Sequence, residues 1–232
     1  MPRPQRITRE LLLDAAMQIL DAEGLDALTM RRLGREVGAV AAMVYRFFAD
    51  KEELVEALAD RVFAQARQRG PITDVAPPGA VIAGWADQLH AVAHGIRRAL
   101  LAHPALVPAA VRRPPRQDAT LHGIDAGLGL LLSAGLDPES AAKGYQAVLF
   151  YTLGFAALEA PFAAAPDGGA QDQADTHAVL AALPREDYPH IAATIAHLYG
   201  PDLTAQFDHG LRLLITGLEA QSRTVGAVPG SR

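Results

Sequence analysis

Residues 29–48 read TMRRLGREVGAVAAMVYRFF. Thr29 is a strong N-cap type, so a short helix begins at Met30, and Gly38 is placed to close it. A third short helix falls within residues 41–48. Two short helices joined by a glycine-led turn make a helix-turn-helix arrangement, whose second helix lies in the DNA major groove when the motif reads a duplex. The first positions of that helix are Ala41, Ala42 and Met43, none of which can donate a side-chain hydrogen bond.

Working outward, Leu12, Ala15, Ala16, Ile19 and Leu20 form the i, i+3, i+4, i+7, i+8 stripe of an amphipathic helix. Thr8 is its N-cap and Gly24 its stop. Asp50 and Glu53 stand at capping-box spacing before a long helix that Gly70-Pro71 ends. Residues 70–79, GPITDVAPPG, read as a linker. Beyond it, Trp85, Leu89, Val92, Ile96 and Leu100 share one helical stripe, and two further helices flank Gly135 to Pro138. Residues 161–176 are poor in large apolar side chains and read as a mobile loop. A last helix spans about Asp202 to Gln221, and the tail from residue 222 reads as disordered. The fold class is all-α: a three-helix head over residues 1–50, a linking helix over 51–69, and a larger helical domain over 80–221.

Half of the 232 residues are apolar, which is enough to bury a sizeable core. With no cysteine, disulfides and thiolate metal sites are excluded, which fits a reducing cytoplasm. The basic N-terminus lacks an apolar core, and no charge-free apolar stretch reaches membrane-spanning length, so neither a signal peptide nor a membrane partner is expected. The net charge of −5 argues against a surface that attracts nucleic acid everywhere. Residues 31–51 are the local exception, with Arg31, Arg32, Arg35, Arg46 and Lys51 against Glu36 and Asp50.

The stretch from Ile7 to Leu58 resembles the DNA-binding head of the TetR family of bacterial regulators. The matching elements are the Gly24-Leu25 break, Leu28-Thr29, Leu33, Val37, Gly38, Tyr45, Phe48 and Lys51-Glu52. The remainder resembles the ligand-binding domain of the tetracycline-repressor branch through GWADQLHAVAHGIRRALLAHP, YTLGFAALE and FDHGLRLLITGLEAQ. The resemblance implies a homodimer on a palindromic double-stranded operator, released by a small effector. It implies that Ala41, Ala42, Met43, Tyr45, Arg46 and Phe47 enter the major groove, with Thr29, Arg31 and Lys51 alongside. Because the alanines can only touch thymine methyls, polar readout falls to Arg31 and Arg46. Backbone positioning falls to Thr29, Tyr45, Lys51 and the amides opening the long helix; Thr29 is also a plain cap, and Arg32 and Arg35 a solvated face. Where the family often has Ser or Thr, Pro and His, this chain has Val40, Ala42 and Phe47. The resemblance also implies a four-helix interface between subunits, in which Gly144, Gly154 and Gly217 would permit close approach.

Trp85, Leu89, Val92, Ile96, Phe150 and Tyr151 are the candidate effector-pocket residues. Where the resemblance places the polar residues that hold magnesium-tetracycline, this chain has Arg67, Val92, Ala110, Gly127, Phe150 and Leu158. The effector is therefore expected to be a different, largely apolar or aromatic molecule, and no cofactor is expected. His90 and His94 share a helix face, but the neighbouring sequence offers no third ligand, so hydrogen-bonding or solvated roles are favoured over a metal. No nucleophile–base pair or paired acids appear, so no catalytic residue is assigned. The alternatives to a repressor are an activator, or a dimeric small-molecule binder with little sequence-specific repression.

Overall fold

The computed structural model describes residues 6–68, 84–112, 118–165, 170–198 and 202–226. The regular elements among these residues are helical. The head contains α1 (Arg9–Glu23), α2 (Met30–Glu36) and α3 (Ala41–Val44), followed by α4 (Lys51–Gln68). The larger part contains α5 (Trp85–Leu101), α6 (Val107–Arg112), α7 (Asp118–Ser133), α8 (Pro138–Ala164), α9 (Ala170–Ala181), α10 (Pro189–Thr194) and α11 (Leu203–Gly226).

The helix boundaries follow from local chemistry. Thr8 and Thr29 sit in extended backbone, and their hydroxyl oxygens accept from the N–H groups of Leu11 at 3.2 Å and Arg32 at 3.1 Å. Gly24 and Gly38 have φ of 81° and 67°, which an L side chain resists. Before α4, the Glu53 N–H donates to Asp50 Oδ1 at 2.7 Å, and Glu53 Oε2 accepts from the Ala49 N–H at 2.7 Å. The exception is α3, whose N-cap, Val40, offers no side-chain acceptor and lies 68% exposed. Its extended φ and ψ of −81° and 152° already suit a capping hydroxyl. Val40→Ser is therefore expected to stabilise the head by about 1 kcal/mol, read as a raised urea midpoint at unchanged slope.

Two expectations need correction. Residues 161–176 are not a single loop: α8 continues to Ala164, and residues 170–181 form α9. Alanine is the best helix former, so the paucity of large apolar residues there does not prevent a helix. The last helix also runs on to Gly226, beyond residue 222. The expected linker at 70–79, residues 113–117 and the end of the tail lie outside the described residues.

Two apolar cores organise the chain. The first gathers Leu12, Ile19, Leu33, Val44 and Phe48 of the head with Leu58 and Val62 of α4. It also takes in Leu100, Leu106 and Val107 from the end of α5 and the turn into α6, and Ala156 and Ala160 from α8. The second lies between α5, α7, α8 and α11 and includes Leu89, Leu131, Val148, Phe207, Leu211 and Ile215. Polar links tie the head, α4 and the larger part together at three places. Arg61 of α4 pairs with Asp14 of α1. Asp60 Oδ1 accepts from the Thr120 N–H at 2.9 Å and its hydroxyl at 2.7 Å. His103 Nδ1 lies 2.8 Å from Asp21 Oδ1.

Candidate functional site

The head aims α3 through one close contact. Gly34 is buried in α2, and a Cβ there would lie 2.9 Å from the carbonyl oxygen of Ala39 and 3.2 Å from the amide nitrogen of Ala41. The Gly34 carbonyl accepts from the Ala39 N–H at 2.7 Å. The turn backbone thus rests directly on α2, and Val44 and Phe48 seal the underside of α3. Arg9 packs over the Phe48 ring at 4.9 Å.

Five arginines and lysines of this region separate into two groups. Arg32 pairs with Glu36 and with Glu23, and these two hydrogen bonds, Glu36 first, raise its pKa above the ordinary arginine value. Lys51 donates to the Leu25 carbonyl at 2.7 Å and so fastens the Gly24-Leu25 break to α4. Arg31, Arg35 and Arg46 are exposed, and among the described residues no carboxylate holds any of them. Arg46 lies along Met43, with Nη1 3.8 Å from the sulfur. Tyr45 is 53% exposed, Ala42 is exposed, and Ala41 and Met43 are partly so. Phe47 leans back against the first core.

The candidate contacts therefore differ in their freedom. Thr29 Oγ accepts its capping bond and keeps a hydroxyl proton for a phosphate. Lys51 has one of its three donors engaged, and the amides at the start of α4 face the acidic pair Asp50 and Glu53. That arrangement weakens the N-terminus of α4 as a phosphate cradle.

The sensor candidates do not all converge. Leu89 is in the second core, with Trp85 and Tyr151 packed on it, whereas Ile96 packs on the first. Phe150 is 64% exposed and is not part of an interior wall in this chain. The cause is helical phase: Val148, Thr152 and Ala156 of α8 face inward, which turns Phe150, Gly154 and Leu158 outward. Gly127 leaves room that the Tyr145 ring fills, since a Cβ would lie 2.6 Å from it. Burial pushes the Tyr145 hydroxyl up to about 12 and also raises that of Tyr151. The Tyr151 hydroxyl donates to the Phe207 carbonyl at 3.0 Å, and its ring stacks on Phe207 at 5.4 Å.

Sequence reasoning missed two constellations centred on α5. Arg97 is only 4% exposed, and it donates to Glu159 of α8 from Nε at 2.7 Å and Nη2 at 2.5 Å. Its guanidinium also reaches Thr204 at 3.2 Å and lies 5.1 Å over the Phe207 ring. His90 and His94 do meet a carboxylate, Asp208 of α11. The only early signals were the fourfold spacing of the histidines and a charged residue within an apolar stripe.

The outer face of α8 and α11 carries apolar exposure. Leu158 is 74% and Leu213 63% exposed, and a groove of about 470 Å³ runs between the two helices past Ala147, Leu214 and Gly217. At Gly144 the Leu218 side chain of the same chain occupies the missing Cβ position. Gly154 and Gly217 have open space above them. The segment 138–163 has the length and hydropathy of a membrane span, yet its Glu159 is paired inside the protein.

Comparison with known proteins agrees with this geometry. Residues 12–58 match the family profile described as bacterial regulatory proteins, tetR family, and residues 78–222 match the tetracyclin repressor-like C-terminal domain. The chain is 28% identical to the transcriptional repressor DrrR1 of Streptomyces coeruleorubidus, over 94% of this chain and 79% of that one. It is 28% identical to the class C tetracycline repressor of Escherichia coli, over 96% and 95%. Among solved structures it is similar to ActR of Streptomyces coelicolor. The apo form superposes with a TM-score of 0.81 at 28% identity, covering 97% of this chain and 99% of that one. The (S)-DNPA complex is 30% identical with a TM-score of 0.76, covering 94% and 99%, and an actinorhodin complex is also known.

Proposed function

The chain belongs to the TetR family of bacterial transcriptional regulators, and from that premise we propose how its own residues divide the work. It is a ligand-responsive regulator that binds DNA, and it is not an enzyme; homodimers on palindromic operators are typical of the family. Its working place is the cytoplasm, where the operators are.

In our reading, residues 1–50 form the DNA-binding head, α4 is the lever, and α5 to α11 form the sensor and dimer body. Arg31 and Arg46 read base edges, Tyr45 and Thr29 hold phosphates, and Ala41, Ala42 and Met43 line the groove against thymine methyls. Lys51 serves the backbone with the donors its Leu25 bond leaves over. The carrying observation is the sorting of the basic side chains. Arg32, the neighbour of Arg31, is ion-paired to two glutamates, while Arg31 and Arg46 are exposed beside the exposed Tyr45 and have no carboxylate partner among the described residues. An arginine left free next to one that is tied down is available for bidentate contact with guanine.

The test is selection of bound duplexes from a random pool. A symmetric consensus with half-sites one helical turn apart, ~34–36 Å, supports the reading. Arg31→Ala should cost about 1–3 kcal/mol and relax one base position, whereas Arg32→Ala should leave the consensus unchanged. An unaltered preference in Arg31→Ala removes that arginine from the readout.

The exposed apolar face of α8 and α11 is the dimer surface, with Phe150, Leu158 and Leu213 covered by the second subunit. Phe150 then acts from that interface, and the effector lies against Trp85, Leu89, Val92 and Tyr151, while Ile96 faces the first core. An aromatic or largely apolar effector is supported by these side chains, and the similar protein ActR is known in complex with actinorhodin and with (S)-DNPA. Actinorhodin and (S)-DNPA are the first compounds to titrate. Release requires differential binding between two dimer geometries, and about 1.4 kcal/mol suffices for a tenfold loss of operator affinity. The route runs from α5 through the shared first core to α4, with His103–Asp21 and Asp60–Thr120 as its polar fastenings.

A further inference from the structure

His90 and His94 stand one helical turn apart on α5, and their rings are 4.5 Å apart. Both present Nε2 to one atom of α11: Asp208 Oδ1 lies 2.5 Å from His90 Nε2 and 3.2 Å from His94 Nε2. One potential ligand atom from each of the three side chains lies within 4.8 Å of the other two. A tetrahedral zinc ion with ligand bonds of about 2.0–2.2 Å spaces its ligand atoms roughly 3.4 Å apart. The His94–Asp208 separation already fits, and the His90–Asp208 pair fits after opening by about 1 Å.

The surroundings also suit an ion. The second Asp208 oxygen accepts from Arg212 Nε at 2.7 Å, which fixes the plane of the carboxylate and turns Oδ1 toward the histidines. The His94 ring meets the Phe207 ring edge-on at 4.9 Å, which fixes its orientation. All three groups are partly exposed, so an ion and a completing water have access from solvent. Arg212, then His90, hold the Asp208 carboxyl well below the usual carboxylate range. Burial lowers the His94 pKa against the pull of Asp208.

We propose that His90 Nε2, His94 Nε2 and Asp208 Oδ1 form a site for a divalent transition-metal ion of the zinc class, with a fourth position open to water or an exogenous ligand. Two imidazoles and one carboxylate suit zinc, cobalt or nickel and do not suit magnesium or calcium. The ion would clamp the sensor helix α5 to α11. The site adjoins the effector-facing residues, since Tyr151 stacks on the Phe207 ring that His94 meets, but it stands whether or not the effector reading holds.

The experiment uses the full-length chain without a histidine tag, stripped with a chelator, and titrated calorimetrically with zinc chloride in a non-coordinating buffer. One ion per chain is expected, together with a raised thermal midpoint. His90→Ala and Asp208→Asn should each weaken binding at least tenfold, and His122→Ala, on the exposed face of α7, should leave it unchanged. Arg212→Ala releases the carboxylate that Arg212 orients and should weaken zinc binding several-fold, although both histidines and Asp208 are still present. Cobalt(II) offers a second readout: with no cysteine present, visible bands of a four-coordinate site should appear in the native chain and vanish in the folded His90→Gln variant. Equal zinc binding by the native chain and by a His90→Ala/His94→Ala double variant overturns the proposal. So does a magnesium response equal to that of zinc.

Discussion

Glu159→Ala should lower the unfolding free energy by about 3–5 kcal/mol, the largest loss expected from any single side chain here. Its partner, Arg97, is buried among Phe155, Phe207 and Thr204, where water cannot replace the lost carboxylate. Removing the acid leaves a desolvated guanidinium with one neutral acceptor, Thr204 Oγ1 at 3.2 Å. The pair itself is not expected to be strongly favourable, because burying two charges consumes most of what their attraction returns. The double variant Arg97→Met/Glu159→Leu should therefore recover most of the loss. Arg97→Lys should behave like a deletion, because an ammonium cannot reproduce the two-pronged contact. Equilibrium denaturation at one fixed protein concentration decides the matter, since subunit association shifts every midpoint. A Glu159→Ala loss below about 1 kcal/mol would show that the pair is solvated, against its burial here.

The second large effect is expected at Gly34. The three nearest atoms to a Cβ at this position are all backbone, belonging to Ala39, Val40 and Ala41. No side-chain rotation relieves the clash, so α2 and α3 must part or the turn must deform. Gly34→Ala should destabilise the head by about 1–3 kcal/mol, and Gly34→Val by more. Operator affinity should fall at least tenfold for alanine, about 1.4 kcal/mol, because α3 loses its angle to α2. Helix content and effector binding should be nearly unchanged, since the second core does not include α2. Fluorescence anisotropy on the selected duplex, with circular dichroism alongside, separates these outcomes. Full operator affinity in folded Gly34→Val would mean that the α2–α3 contact does not set the reading angle.

The head was legible in the sequence because its signals are local. Thr8, Thr29, Gly24, Gly38, Asp50 and Glu53 each act on atoms within four residues, and each does so where the sequence placed it. The sensor was less legible because its decisive contacts are distant. His90 and Asp208 are 118 positions apart, and Arg97 and Glu159 are 62 apart. No periodicity within one helix reveals such a partner. Phe150 misled for a related reason. In a helix that is apolar all round, residue type cannot distinguish the face turned to its own core from the face offered to a second chain. Helix α9 was missed because small residues signal a loop to a composition argument and a helix to a propensity argument.

The first apolar core has a practical consequence. Leu100, Leu106 and Val107 lie in it beside Leu58 and Val62, so the seat of the head is built partly from the body that controls it. Transplanting residues 6–68 onto a foreign regulator would leave that seat empty unless the recipient supplies side chains of matching volume. A working chimera must carry the end of α5 and the turn into α6 along with the head, and its crossover belongs after Val107.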